Sequence, residues 1–283
     1  MSLARGTGKR KYPIPPGVWL KTALILALAV AATTAYDVHY RRGNPYIRAV
    51  EQRIANFKRD PGKPLVVAIG GSLTMLGTPR DWSGQPFDWL RLIIQGSTLN
   101  DFAAATNDIV ALKPDLILID LHQFIHKPYD LRLRRAFKHL LRAPLEAYRL
   151  IKPAPSQFEI DACGSGLDLD GALEHIKEQF SSPENDIASS PMLEAFMDKG
   201  IPVAIIRVPM LRDIESRVKE KQVWLRKARR DAATLGLEIH DPHWEDLDER
   251  YFCPDKTHMS RAGERIFSAW LAPRITAELS ALR

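Results

Sequence analysis

Short apolar segments alternate with longer segments of helical pattern over the chain after residue 63. The apolar segments predict strands, and the segments between them predict helices because apolar side chains recur there at helical spacing. The predicted strands are 64–69, 89–94, 116–121, 203–208 and 237–239. The predicted helices are 99–112, 129–150, 192–199, 214–235 and 261–282. Strands that alternate with helices predict a parallel sheet covered on both faces, with reactive groups at the carboxyl ends of the strands.

The N-terminal segment is basic and then uncharged. Five Lys and Arg residues lie among the first 21 positions, and positions 22–36 carry no charged residue. With residues 18–20 the apolar stretch reaches the ~20 residues that a bilayer requires, because the stem of Lys21 can extend to the interface. The pattern predicts a cytoplasmic basic tail at 1–17 and a signal anchor, a transmembrane helix, at 18–38.

The fate and the orientation of this segment stay open in the sequence. Cleavage is one alternative, because residues 29–31 (Ala-Val-Ala) and 33–35 (Thr-Thr-Ala) have the small-x-small form of a processing site. A buried helix of a soluble domain is another. Basic residues are nearly balanced on the two sides of the segment, so the distribution of positive charge does not set its orientation. We therefore rely on the resemblance of the segment to an export signal, which places the body of the protein outside the cytoplasm. The competing interpretation is a reversed anchor with a cytoplasmic body.

Length and composition indicate one main domain. The chain has 283 residues, of which 45% are hydrophobic, enough for the core of one α/β domain of ordinary size or of two small ones. We assign 39–63 to a polar connector and 64–283 to the domain, with an insertion or lid at 153–191, which is rich in Gly, Ser, Pro and Asp. The formal net charge of +6 owes a large share to the N-terminal tail. No basic stretch interleaved with aromatic residues predicts binding to nucleic acid.

The two cysteines, Cys163 and Cys253, are able to form one disulfide outside the cytoplasm, but the sequence leaves open whether they meet. Neither has the spacing of a zinc ligand. We therefore predict no metal and no cofactor.

A candidate nucleophile follows the first predicted strand. Residues 70–74 read Gly-Gly-Ser-Leu-Thr, and we expect Gly70 and Gly71 to supply backbone angles that other residues avoid, so that Ser72 projects above the sheet edge. Its own N–H then faces the same space as its hydroxyl. The alternative is a plain turn or a helix N-cap.

Asp255 and His258 lie three residues apart in the loop before the last predicted helix. This spacing lets the carboxylate hold one imidazole nitrogen while the other nitrogen faces a serine. Together with Ser72, the pair supplies a general base and an orienting group for acyl transfer. The alternative is an N-capping arrangement with a surface histidine.

The order of these segments resembles the SGNH or GDSL hydrolase family, over roughly residues 64–275. Residues 70–74 match its first block, with Gly71 in place of the usual Asp; 95–97 (Gln-Gly-Ser) match the second; and 255–263, with Asp255, His258 and Gly263, match the last. The resemblance implies a three-layer α/β/α domain of flavodoxin-like form. It also implies that Ser72 is the nucleophile, His258 the base and Asp255 its orienting group, and that the N–H groups of Ser72 and Gly96 form parts of the oxyanion hole. For Gly96, a glycine that only ends a strand is the alternative.

The third block departs from the family pattern. The family places Gly-x-Asn-Asp after its third strand, whereas residues 120–124 read Asp-Leu-His-Gln-Phe. A side-chain amide aimed at the oxyanion is worth ~10² to 10³ in rate, and Gln123 is able to supply an equivalent N–H. A similar stretch occurs in the membrane-anchored branch that includes the DltD proteins of teichoic-acid D-alanylation. The alternative is that His122 and Gln123 are polar residues capping a strand end.

The sequence thus predicts a membrane-anchored, extracytoplasmic SGNH-like esterase or O-acyltransferase. By family analogy its substrate is an acylated cell-envelope glycan, with a lipid ester as the rival. The alternative function is a catalytically degenerate SGNH module that binds glycan or scaffolds a membrane complex. Its expected partners are the lipid bilayer and an acylated glycan or lipid substrate, and a partner within a membrane complex is left open. A basic amphipathic segment at 131–149 fits a bilayer surface or an acidic partner, or is a solvated face.

Overall fold

The computed structural model describes residues 45–95, 97–125, 169–180, 186–188, 190–242 and 247–282, and the single positions 19 and 163. The chain divides into two compact units, residues 1–48 and 49–283, and the candidate site lies in the second. Apart from Trp19, the predicted anchor at 18–38 lies outside the described residues, and so does the basic segment at 131–149. Within the described ranges, no helix is both long and apolar enough to cross a bilayer.

The second unit is built on a five-stranded parallel sheet with the strand order β2-β1-β3-β4-β5. This is the flavodoxin-like order. The strands are β1 (Leu65–Gly70), β2 (Asp88–Ile93), β3 (Leu116–Asp120), β4 (Val203–Ile206) and β5 (Ile239–His240). Each overlaps a predicted strand, so the prediction of a parallel α/β sheet is confirmed.

Among the described residues, helices precede, connect and follow the strands. The α-helices are α1 (Pro45–Asn56), α2 (Ser72–Gly77), α3 (Thr106–Ala111), α4 (Leu169–Phe180), α5 (Pro191–Asp198), α6 (Arg212–Arg217), α7 (Lys219–Thr234) and α8 (Arg261–Ala281). Short 3₁₀ helices span Leu99–Ala105, Leu121–Phe124 and Glu249–Tyr251.

Helices cover both faces of the sheet. Every residue of β1 and β3 is buried, as expected for central strands that are packed on both sides. The crossover from β1 to β2 runs toward one edge and the later crossovers toward the other, so right-handed connections place α2 on one face and α3, α5 and α7 on the opposite one. The contacts agree, because α8 packs on α2 while α5 packs on α3. The result is a three-layer α/β/α arrangement.

Several elements differ from the sequence prediction. The predicted helix 99–112 begins as a 3₁₀ helix, where Thr98 and Asp101 cap each other, and only then becomes α3. The predicted helix 214–235 is interrupted at Val218, whose backbone is extended, and forms α6 and α7.

Two helices lie in segments for which no helix was predicted. The predicted insertion at 153–191 contains α4, whose buried Ile176 and Phe180 anchor it, and the predicted connector at 39–63 contains the whole of α1, with Val50 buried. Apolar residues at 169, 173, 176 and 180 carry the helical period of α4. The Gly, Ser and Pro residues on either side of it obscure that signal in the sequence.

Candidate active site

Ser72 lies at the carboxyl end of β1, where the strand passes into α2. Its Oγ lies 2.8 Å from Nε2 of His258, a residue 186 positions later in the chain. The other ring nitrogen, Nδ1, lies 2.6 Å from Oδ2 of Asp255. The three side chains predicted from the sequence therefore form one continuous hydrogen-bonded chain.

The carboxylate of Asp255 is fixed by several donors. Its Oδ1 accepts hydrogen bonds from the backbone N–H groups of Thr257 (3.1 Å) and His258 (3.0 Å). Burial raises the pKa of Asp255, but the hydrogen bonds from the side chain and backbone of His258 and from Thr257 outweigh it and lower the pKa to about 2. Asp255 is therefore ionised at neutral pH, as a group that orients an imidazole must be.

The Asp255–His258 loop is tied to its surroundings through the backbone. Lys256 has a left-handed φ of 59°, which makes the tight turn that brings Asp255 back to His258. Its carbonyl accepts a hydrogen bond from the N–H of Leu211 (3.1 Å), in the loop that follows β4. The N–H of Cys253 donates to the carbonyl of His258 (2.8 Å), and Ser260 caps the N-terminus of α8.

Gly70 and Gly71 matter for the room that their missing side chains leave, not for unusual backbone angles. Neither has a positive φ; Gly71 is extended, with φ −104°. A β-carbon on Gly70 would lie 1.9 Å from Oγ1 of Thr74, and one on Gly71 would lie 3.0 Å from Nε2 of Gln123. The expectation that these glycines supply angles closed to other residues is therefore wrong. Thr74 of α2 leaves no room for a side chain at Gly70, and a side chain at Gly71 would press on the amide of Gln123.

Gln123 lies in the 3₁₀ helix after β3, with 3% of its surface exposed. Its Oε1 accepts a hydrogen bond from the hydroxyl of Ser97 (2.8 Å), which fixes the amide plane and turns Nε2 toward Gly71. Among the described residues, Nε2 has no acceptor. As the first residue of α2, Ser72 also has an N–H without a partner inside the helix. One N–H group at Ser72 and one beside Gly71 are thus available, while the predicted third contributor, Gly96, lies outside the described residues.

The other polar residues of the third block are structural. Asp120 is fully buried; its Oδ2 accepts from the hydroxyl of Thr74 (2.7 Å), and its Oδ1 from the backbone N–H of His122 (3.1 Å). Nδ1 of His122 lies 3.0 Å from the same Oδ1, and its ring packs against Phe180 and Trp224. Asp120 thus links the nucleophile turn to the turn that carries Gln123. The alternative that these residues cap the end of a strand fits His122, whereas Gln123 faces Gly71.

A disulfide joins Cys163 to Cys253, two residues before Asp255. The sequence left this pairing open. The bond attaches the predicted insertion to the loop that carries the candidate base.

A buried ionic cluster supports the loop after β4. Arg207 donates to Glu215 (2.7 Å) and to Asp241 (2.5 Å), and the fully buried Lys221 donates to Glu215 (3.1 Å). Burial raises the pKa of Glu215, but the charges of Lys221 and Arg207 outweigh it and lower the pKa to about 2. Glu215 also accepts from the N–H of Met210, next to the Leu211 that holds Lys256. No sequence motif indicated this cluster, because Arg207, Glu215 and Lys221 are spread along the β4–β5 connection and Asp241 lies beyond β5.

No protein-family model matches the chain, and no curated protein matches it. Solved structures with a detectable likeness include a family 3 carbohydrate esterase of Clostridium thermocellum, at 12% identity and a TM-score of 0.43, over 78% of this chain and 98% of that one. A family two carbohydrate esterase of the same organism, in complex with cellohexaose, has 12% identity and a TM-score of 0.39 over 79% and 67%. TesA has 13% identity and a TM-score of 0.41 over 77% and 99%. Identities and TM-scores this low assign neither a family nor a substrate to this chain.

Proposed function

We propose that this chain is an SGNH-type serine esterase or O-acyltransferase. The observation that carries the proposal is the hydrogen-bonded chain from Asp255 through His258 to Ser72, at the carboxyl end of a parallel sheet. A serine in contact with a histidine whose other nitrogen is held by a carboxylate is the arrangement that activates a hydroxyl for attack on a carbonyl.

In the first half-reaction, Oγ of Ser72 attacks the acyl carbonyl carbon while Nε2 of His258 takes the hydroxyl proton. Asp255 holds Nδ1–H and stabilises the imidazolium that forms. The tetrahedral intermediate then collapses. The alcohol oxygen of the substrate leaves with the proton from His258, and the acyl group stays on Ser72.

The N–H of Ser72 and Nε2 of Gln123 stabilise the charge on the carbonyl oxygen. Preorganised donors of this kind are worth ~10² to 10³ each in rate. Gln123 takes the place of the Asn that the third block lacks, and Ser97 holds it in orientation.

In the second half-reaction, an acceptor hydroxyl attacks the acyl-enzyme, and His258 accepts its proton and returns one to Ser72. Water as acceptor gives hydrolysis, and a sugar hydroxyl gives transfer. The side chains of His258 and Asp255 keep 23% and 16% of their surface exposed, so the triad is partly open to solvent.

We place the enzyme on the outer side of a membrane, anchored by residues 18–38 and acting on an O-acetylated envelope glycan. The disulfide between Cys163 and Cys253 supports an oxidising compartment. The glycan follows from the family resemblance alone. A reporter fused after the last residue tests the location, because activity of a cytoplasm-only reporter contradicts export.

Acetate release tests the chemistry. Full-length protein in detergent is incubated with p-nitrophenyl acetate, acetylated xylan and a lysophospholipid, with Ser72→Ala as the control. We expect Ser72-dependent turnover of the acetyl esters and little of the lipid. Retention of the glycan without turnover by wild-type protein would favour the degenerate binding module.

A further inference from the structure

A polar cavity of about 460 Å³ lies beside β5, apart from the triad. Residues in and beside β5, together with α7 and α8, line it with charged and aromatic side chains: Arg229, Glu238, His240, Asp241, Trp270 and Arg274. None of these residues has a role in the proposed acyl chemistry.

His240 is the central group of this region. Its side chain is 92% buried, and its Nε2 receives no hydrogen bond and donates none. Nε2 nevertheless lies 3.2 Å from Oε1 of Glu278 on α8, and Nδ1 lies 3.5 Å from Oε1 of Glu238. A buried imidazole nitrogen beside a carboxylate oxygen, without a directed hydrogen bond, leaves a lone pair available to a cation.

His240 alone does not satisfy the two carboxylates that lie beside it. Among the described residues, His240 is the ion-pairing partner of both Glu238 and Glu278. A neutral imidazole has one N–H and satisfies one carboxylate at most. A divalent cation would balance both.

We propose that Glu238, His240 and Glu278 bind a divalent transition-metal ion such as Zn²⁺. One ligand atom from each residue lies within 4.8 Å of the others. In a tetrahedral site with bonds of about 2.0–2.1 Å, ligand atoms lie roughly 3.3 Å apart, close to the separation of His240 and Glu278. The side chain of Glu238 is 71% exposed and free to turn inward. Imidazole with carboxylates suits zinc and its neighbours, and three protein ligands leave a coordination position open.

The local fold explains the grouping and accommodates the basic residues nearby. Glu238 and His240 are two apart on extended backbone and therefore face the same side, opposite Glu278 of α8. Arg229 is paired with Asp241 (2.5 Å), and Arg274 lies over the ring of Trp270, 4.1 Å from its centroid. In the part of the chain that the structure describes, neither arginine forms an ion pair with Glu238 or Glu278. The proposal departs from the sequence expectation of no metal; cysteine spacing gave no sign of this group, and His240 and Glu278 are 38 positions apart.

Metal binding by the full-length chain, purified without a polyhistidine tag, tests the proposal. The protein is stripped with chelator, titrated calorimetrically with Zn²⁺, dialysed and analysed for bound metal, and titrated separately with Co²⁺ for its visible absorption. We expect one Zn²⁺ per chain and a higher melting temperature with metal. Bound Co²⁺ should show visible absorption bands typical of a site with a low coordination number. His240→Gln and Glu278→Gln should each abolish stoichiometric binding, and Glu238→Gln should weaken it.

Asp213→Asn on α6 is the matched control, because it removes an exposed carboxylate elsewhere and should leave binding intact. Circular dichroism of each metal-free variant establishes that it is folded. The proposal is overturned if the folded wild-type chain binds no Zn²⁺. It is also overturned if binding survives in His240→Gln but disappears in His258→Ala, since the metal would then sit at the triad.

Discussion

Nε2 of Gln123 lies 3.0 Å from the position that a β-carbon on Gly71 would occupy. A side chain on Gly71, the residue before the candidate nucleophile, would therefore compete for space with Gln123, the candidate oxyanion donor. The two departures from the SGNH pattern, Gly71 for Asp and Gln123 for Asn, are physically linked. The longer side chain of the third block packs against position 71, where a side chain would press on its amide.

The first prediction is a coupling between these two positions. Gln123→Ala should lower kcat by ~10² to 10³ with little change in KM, because it removes a donor that acts in the transition state. Gly71→Ala should lower kcat in the wild type by displacing the amide, and should have little further effect in Gln123→Ala. Steady-state kinetics of the two single variants and the double variant measure this coupling.

Ser97→Ala should lower kcat by less than Gln123→Ala does, because it releases the amide of Gln123 without removing it. Independent, additive effects of the substitutions at positions 71 and 123 would contradict the shared-space account.

The second prediction concerns Asp255. Asp255→Asn should lower kcat by up to ~10⁴, because an amide favours the wrong imidazole tautomer. Glu249→Gln is the control: it changes an exposed carboxylate that pairs with Lys256 in the same loop and should leave kcat nearly unchanged. Equal kinetics for the two variants would remove Asp255 from the mechanism.

The third prediction concerns the disulfide. Cys163 and Cys253 are 90 residues apart, and a cross-link over a loop of this size restricts the unfolded chain by ~4 kcal/mol. The double variant Cys163→Ser/Cys253→Ser should lose a comparable free energy of unfolding, measured in urea. Wild-type protein with reductant should behave as the double variant does. A midpoint unaffected by reductant would mean that the bond does not form.

The fourth prediction concerns acid stability. The pKa of Glu215 in the folded protein, about 2, lies below the ordinary 4.5, so its stabilising contribution is complete above pH 4.5 and lost as the pH falls toward 2. Glu215→Gln should flatten this part of the pH dependence of the unfolding free energy. At pH 7 it should cost about 3 kcal/mol, because the buried Lys221 loses its anion.

Adding Lys221→Met to Glu215→Gln should recover part of that loss, because the unpaired buried charge is removed together with its partner. Urea unfolding of the two variants at pH 7 and pH 3 makes the comparison. An equally steep acid dependence in Glu215→Gln would assign the effect to other carboxylates.

The sequence predicted the sheet because its strands are continuous apolar segments, a pattern that buried parallel strands require. It also predicted the contact of Ser72 with His258, from the order of the blocks and the spacing of Asp255 and His258. It could not give the reason for Gly71, since a contact with a side chain 52 positions later leaves no local pattern. The break at Val218 and the partners of Arg207 likewise depend on tertiary packing.

Covalent labelling of Ser72 tests the central claim most directly. Full-length protein is treated with a fluorophosphonate, digested and mapped by mass spectrometry, with Ser72→Ala, His258→Ala and heat-denatured wild type alongside. The account predicts one adduct, on Ser72 of the folded wild type, strongly reduced in His258→Ala and absent from Ser72→Ala and the denatured protein. Folded wild type that stays unlabelled, or that is labelled on another serine, would contradict it.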